Sequence, residues 1–337
     1  MTDFMQGTVV SSRIRLARNL NGYPFPERLK SDKQAKEIIR SVSSAINKVD
    51  EFRLYYMDSI SDDDALNLVE NHLISPALLK KPARSAALIN EAGNVSIMIN
   101  EEDHLREQCI QSGLSLRSSY AIMSAKDSLI ARSIAFAYDE QLGYLTACPT
   151  NLGTGLRASV MMFLPALAIG GLMPELVSRA RRNGLTIRGA YGEGSSAEGY
   201  TYQLSNEVTL GVSEEEILTQ VEEAVSKVEE LEAVERKNLR NGANGLALKD
   251  KCLRAYGILT NCALMPSEEF SSLCADLKLA ACLGYLNCDT TRIDELTIKM
   301  KPSNLNVLAG RKLTSEERDS YRAQYASNRI KSIVSKC

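Results

Sequence analysis

Residues 148–157 read CPTNLGTGLR, and the apolar run SVMMFLPALAIGGLM follows at 159–173. The loop brings together a thiol, a proline, hydroxyl and amide groups, two glycines and an arginine. Such a composition suits an anion. Gly153 and Gly155 let backbone N–H groups approach a ligand, Arg157 adds a fixed charge, and the apolar run reads as a helix whose positive end would face the same point. No Lys-Ser or Lys-Thr follows the second glycine, so the stretch is not a P-loop. Taken alone it is also compatible with a plain connection, and its reading depends on three other stretches.

Upstream, VVSSRIRLARNL at 9–20 alternates basic and apolar side chains, which predicts a strand with Arg13 and Arg15 on one face and Ile14 and Leu16 on the other. As a solvated face it needs no ligand, but adjacent like charges repel, and a polyphosphate between them would offset that cost. ARSAALIN and NVSIMIN, joined by EAG, predict strand, turn and strand, ending in EEDHLR at 101–106. This dense group reads either as a charged turn or as a catalytic carboxylate with Arg106 as a further anion ligand. Downstream, LTIRGAYGEGSSAEGYTYQLSNEVTLG at 185–211 predicts a strand that delivers Arg188 to a glycine-rich loop holding Glu193. That loop reads as a substrate cover or as a hairpin tip.

The remainder is framework. Helices are predicted over 31–50, with Ile38, Ile39, Val42 and Ile46 on one side, over 61–74 with a cap near Ser61, and over 115–141. His72, near the end of the second, reads as a capping or core histidine or as a nucleotide neighbour. A long acidic amphipathic helix spans 213–240, NGANG at 241–245 reads as a linker, and 246–337 is mostly helical by periodicity. The expected division is a domain at 1–240 and a smaller helical one at 246–337. Within the latter, Arg318 and Arg322 are spaced i, i+4 beside Asp319.

Bulk properties narrow the field. With 337 residues, 44% apolar content and a net charge of −2, the chain has ample core material and no overall attraction to nucleic acid or anionic membrane. No run reaches the roughly 18 apolar residues of a membrane span and the N-terminus lacks a secretory pattern, so a cytoplasmic protein is expected. Eight cysteines form no CxxC pair, and the two histidines lie far from any cysteine cluster, which argues for reduced thiols and against a zinc site.

Taken in order, RIR, EEDHLR, CPTNLGTGLR and RGAYGEGS resemble the motifs of the ATP:guanido phosphotransferases, the phosphagen kinase family. The resemblance implies an α+β fold, an antiparallel sheet flanked by helices, with a smaller C-terminal helical domain. It implies that Arg13, Arg15, Arg106, Arg157 and Arg188 grip the phosphates of MgATP near His72, that Glu102 and Glu193 flank the acceptor guanidinium, and that Cys148 is a positioning thiolate beside it. RASVMMFLPAL, YGEGSSAEG and the helical tail are similar to the branch that phosphorylates arginine side chains of proteins. There, Arg318, Asp319, Arg322 and Ala323 match an RDxxRA motif associated with phosphoarginine.

That branch further implies a homodimer, protein substrates with accessible arginines, an activator protein, a heat-shock repressor and a Clp unfoldase and protease as partners. In free-guanidine kinases a helical domain precedes the SSRIR-type motif; here it begins at Ser11, so an open acceptor site is expected. Met161 and Met162 stand where many family members have a histidine, which bears on acceptor details. Two alternatives stay open at this point: a kinase for free arginine or another small guanidine, and a non-catalytic phosphoarginine-binding regulator.

Overall fold

The computed structural model describes residues 3–47, 51–189 and 198–336. A long first strand, β1 (Val9–Arg18), leads to helix α1 (Asp32–Ile46), strand β2 (Phe52–Tyr56) and helix α2 (Asp62–Glu70). Three strands follow, β3 (Ala86–Asn90), β4 (Val95–Ile99) and β5 (Leu105–Ser112), and then helix α3 (Leu116–Ala131). A small ladder of β6 (Tyr138–Asp139) and β7 (Gly143–Tyr144) precedes β8 (Leu156–Phe163), α4 (Pro165–Ile169), α5 (Met173–Arg182), β9 (Leu185–Gly189) and β10 (Thr201–Asn206). Helix α6 (Glu214–Asn241) opens the helical remainder: α7 (Gly245–Asn261), α8 (Ser267–Cys282), α9 (Thr290–Lys299), α10 (Pro302–Ala309) and α11 (Ser315–Ile333), with a short pair β11 (Leu286–Cys288) and β12 (Val334–Lys336).

Eight strands form one antiparallel sheet in the order β2-β3-β4-β5-β1-β8-β10-β9. The alternation in β1 sorts its residues between the faces: Ile14 and Leu16 are buried, and Arg13 and Arg15 are half-buried on the opposite side. The apolar face packs against α1, α3 and α6. Ile38, Ile39, Val42 and Ile46 of α1 all enter this core, each contributing about 1.5–3 kcal/mol by burial. On the other face, a small cluster beneath α2 that includes Leu68, Ala87 and Met98 covers the β2–β4 side. The helical core of α7–α11 reaches Phe163 near the end of β8. Between these two covers the centre of the face is open.

Two expectations are corrected. SVMMF is part of strand β8, not the start of a helix, and α4 begins only at Pro165. The face of β8 that carries Arg157 and Ser159 continues with Met161 and Phe163, so the second half of the strand reads as a continuous apolar run that hides the period of two. The helix predicted over 115–141 stops at Ala131; the chain then turns back, and Phe136 bridges to Leu20. NGANG at 241–245 forms the short connection between α6 and α7, which pack on each other.

One buried ion pair joins these parts. Arg236 and Glu232 of α6 are both fully buried, 2.8 Å apart. Arg236 also donates to the carbonyls of Phe4, Gln6 and Phe163, and Glu232 accepts from the N–H groups of Ala166 and Leu167. The N-terminal segment, the end of β8 and the start of α4 thus share one polar anchor.

Candidate active site

Register places the arginines. Arg15 on β1 lies opposite Arg157 on β8 and Gln108 on β5; Arg106 is two residues from Gln108 on the same face. Across β10, Gln203 pairs with both Met161 of β8 and Arg188 of β9. Because paired residues share a face, five guanidinium groups from four strands gather on one surface, and all five are half-buried. Their neighbours are sparse: Arg13 donates to Gln203 at 3.3 Å, Arg157 to Ser205 at 3.1 Å, and Arg106 to both oxygens of Glu101 at 2.9 Å. Among the described residues the buried Nε atoms of Arg15 and Arg157 have no hydrogen-bond acceptor.

The electrostatic consequence is direct. Burial, then Arg106 and Arg157, hold the Arg13 pKa down to about 10. Arg15 is depressed further by burial and by Arg13, Arg106 and Arg157, with Glu101 opposing. Arg157 is lowered by burial, Arg188 and Arg106. These cations are held closer together than their mutual repulsion favours, and an anion with several negative oxygens would relieve it.

The acidic turn between β4 and β5 is locked from beneath. Asp103 accepts 2.6 Å hydrogen bonds from Asn19 Nδ2 and the Ala147 N–H. The buried His104 accepts from the Leu20 N–H through Nδ1. Glu101 is engaged by Arg106 and by the Ser75 hydroxyl. Glu102 alone of this acidic run is exposed. Partial burial, then Asp103 and Glu101, hold its pKa above the usual carboxylate value, with Arg106 opposing.

The CPTNLGTGLR loop completes the site, with its glycines used otherwise than expected. A Cβ on Gly153 would lie 2.2 Å from the Thr209 carbonyl oxygen, and one on Gly155 would lie 2.6 Å from the Ala17 oxygen. Both residues have positive φ, so glycine is required for backbone-to-backbone packing. Buried Arg18 holds the loop from below, donating to the Thr154 carbonyl and to Asp127 while lying 3.5 Å from the Tyr144 ring centroid. Half-buried Cys148 sits at the loop's start, with Sγ 3.0 Å from the Thr150 hydroxyl.

Two cavities adjoin here. A cleft of about 600 Å3 runs from Arg13, Arg15 and Arg106 to His72 and Lys301. A second, of about 250 Å3, shares Arg15 and Arg106 and is lined further by Glu102, Cys148 and Arg157. Arg188 joins Arg157 at a small adjacent recess. His72 is exposed to the cleft; the surrounding walls, then Lys301 and Arg13, push its pKa down to about 4, so the ring is neutral at pH 7.

Glu193 lies outside the described residues. The tail residues stand apart from the cleft: Arg318 and Asp319 are half-buried, while Arg322 and Ala323 are buried. Arg322 donates to the carbonyls of Met265 and Met300 and to Asp319. Sequence reasoning missed Glu101, Gln108, Gln203, Ser205 and Lys301. Gln108 lies two residues beyond Arg106 on β5, a strand the sequence reading did not identify, and the others depend on tertiary contacts.

Five guanidinium groups converging on a cleft beside an acidic turn are the site of a phosphotransferase. The family described as ATP:guanido phosphotransferase, C-terminal catalytic domain, matches residues 33–235, and the protein-arginine kinase McsB C-terminal domain matches 245–336. The chain belongs to the ATP:guanido phosphotransferase family. A relative in Caldanaerobacter subterraneus subsp. tengcongensis, a protein-arginine kinase, is 42% identical over 335 residues, covering 98% of this chain and 99% of that one. Among solved structures, the duplicated taurocyamine kinase of Schistosoma mansoni with bound transition-state analogue components aligns with a TM-score of 0.65 at 27% identity, over 80% of this chain and 40% of that one. A lombricine kinase aligns with a TM-score of 0.61 at 26% identity, covering 67% of this chain and 66% of that one.

Proposed function

We propose that this chain is a protein-arginine kinase that transfers the γ-phosphoryl group of ATP to the guanidinium of arginine side chains in proteins. The observation that carries the reading is the five-arginine face adjoining the cavity of Glu102 and Cys148, in a chain aligned nearly end to end with protein-arginine kinases. The unpartnered Nε atoms of Arg15 and Arg157 fit a polyphosphate. Among the described residues no group of three His, Cys, Asp or Glu side chains is placed to hold a metal, so magnesium would ride on phosphate oxygens and water. When bound, it neutralises charge on the transferring group.

In this reading Arg13, Arg15, Arg106, Arg157 and Arg188 hold the phosphates and stabilise the charge of the transition state. The acceptor presents a harder problem. Arginine's pKa of about 12.5–13.8 makes prior deprotonation at pH 7 cost on the order of 8 kcal/mol. Glu102, with Glu193 as its expected counterpart, therefore aligns the planar group and takes its proton late, as the N–P bond forms and the nitrogen becomes acidic. The raised pKa of Glu102 makes it a better late acceptor than an ordinary carboxylate. Cys148 lines the same cavity and would help position the acceptor.

The reading extends to a cytoplasmic homodimer acting with an activator protein, a heat-shock repressor and a Clp unfoldase and protease, and to recognition of phosphoarginine at the tail. Arg318 and Asp319 would meet that ligand, with Arg322 and Ala323 shaping the site from within. The two domains of this reading are 1–240 and 246–337, and the second carries this recognition.

The test is to incubate the protein with MgATP, an unfolded protein and free arginine, and to search by mass spectrometry for acid-labile phosphate on arginine. Label on protein arginine that disappears in Glu102→Gln supports the proposal. Label confined to free arginine would make the chain a small-guanidine kinase instead.

A further inference from the structure

The 600 Å3 cleft is not built by the catalytic sheet alone. Its inner wall carries the arginines, but its outer wall comes from the C-terminal helical part: Ser267 and Ser271 in the first turns of α8, and Lys301 and Pro302 at the start of α10. A second cavity of about 170 Å3, which reaches Met161 on β8, shares His72, Ser271 and Lys301 with the cleft. These three residues therefore stand where the two spaces meet.

The position of Lys301 is fixed. Glu70 at the end of α2 accepts from the N–H groups of Ser303 and Asn304, capping α10, and its backbone carbonyl accepts from Lys301 Nζ at 3.0 Å. Asn304 Oδ1 accepts from the amides of both Asn67 and Asn71. The clamp holds α10 onto the helix that precedes His72. A lysine ammonium has three donors, and the Glu70 carbonyl uses one.

Resting on the reading that the cleft takes ATP, we infer that the C-terminal helices supply the nucleoside subsite, with Lys301 donating to a ribose or purine acceptor and Ser271 forming the facing wall. The division of charge supports this. Phosphates belong at the arginine end, shared with the acceptor cavity, so the nucleoside extends away from it. The cleft lining also includes the apolar Val69, Ile74, Pro76 and Pro302 together with Glu268, a mixed surface that suits a flat base with polar edges, and the neutral His72 ring adds a further planar surface. Lys301 and Ser271 are polar groups at that end that can meet heteroatoms. On this account the helical part is a component of the ATP site itself, and its attachment to α2 sets the width of the nucleoside end.

The experiment compares binding of ATP and of inorganic tripolyphosphate to the full chain by calorimetry. Lys301→Met is expected to weaken ATP about tenfold and to leave tripolyphosphate within about twofold, because the lost charged hydrogen bond belongs to the nucleoside. Ser271→Tyr, which places a ring at the cleft wall, should weaken ATP by at least about tenfold, while the same change at exposed Ser272 leaves it unaltered. Equal loss of both ligands in Lys301→Met would assign the lysine to the phosphates or to the clamp and overturn the inference. So would unaltered ATP affinity in both variants. If the wild-type chain binds tripolyphosphate but gains nothing from the nucleoside, the ATP reading itself fails, and the inference with it.

Discussion

Acidification from pH 7 to pH 4 should charge a histidine that the fold holds neutral. His104 is completely buried; its Nδ1 accepts from the Leu20 N–H at 3.1 Å, and Nε2 lies 3.1 Å from the Pro24 carbonyl. The tautomer protonated at Nε2 satisfies both contacts, whereas imidazolium would set an N–H against the Leu20 N–H. Burial pushes the pKa from 6.5 down to about 4. Because the folded value lies below the unfolded one, the unfolded chain takes up the proton first. Stability from this group is intact above pH 6.5 and is lost as the pH falls to about 4. The gap between the two values, at about 1.36 kcal/mol per pH unit, is worth about 3 kcal/mol, a large share of the roughly 5–15 kcal/mol that holds a domain folded.

His72 is held down to about 4 as well, but its ring is open to cleft water and contributes no comparable energy. The chain has only two histidines, so imidazole NMR signals can be followed without ambiguity from pH 7.5 to 4. Urea unfolding over the same range gives the slope of stability against pH. His104→Asn keeps an acceptor for Leu20 and removes the titration, so its slope between pH 6.5 and 4 should be shallower than that of the wild type. A His104 signal that titrates near 6.5, or parallel slopes for the two proteins, would refute the reasoning. Since His104 adjoins Asp103 and Glu102, the catalytic turn should loosen along with it.

Three further outcomes follow from named contacts. Glu102→Gln should lower turnover by about 10²–10⁴-fold with ATP affinity kept; in the wild type kcat/KM should fall with acid at a pH above the ordinary glutamate value, the direction set by the raised pKa of Glu102. Arg236→Met leaves Glu232 charged and buried and should cost about 3–5 kcal/mol in urea unfolding; an apolar replacement of both partners should recover most of it. Gly155→Ala should destabilise more than Gly22→Ala. Both positions have positive φ, but only the first places its Cβ 2.6 Å from the Ala17 oxygen, so equal unfolding midpoints would dismiss the contact.

The sequence made local periodicity legible and left assembly hidden. RIR showed its period of two because one face of β1 is apolar and the other carries charge, and α1 showed its buried side for the same reason. The second half of β8 did not, because Met161 and Phe163 continue the face that Arg157 begins and leave no polar partner to mark the period. The glycines of the arginine loop were visible as glycines, but whether they admit a ligand or another backbone depends on Thr209 and Ala17, which lie far away in the chain. Arg322 makes the same point from chemistry: a guanidinium in a recognised motif proves to hold the carbonyls of its own fold.

What sequence could not show at all is that β1 pairs with both β5 and β8, and this pairing creates the site. One strand contributes two arginines, and each neighbouring strand brings another opposite or diagonal to them. The resulting repulsion is only partly offset by Glu101, Gln203 and Ser205. Burial first, and this remaining repulsion second, depress the pKa values of Arg13, Arg15 and Arg157. Folding therefore establishes the binding site at a cost, met by the apolar face of the same strands. A polyphosphate returns part of that cost on arrival, so affinity for the anion and instability of the free arginine face have one origin.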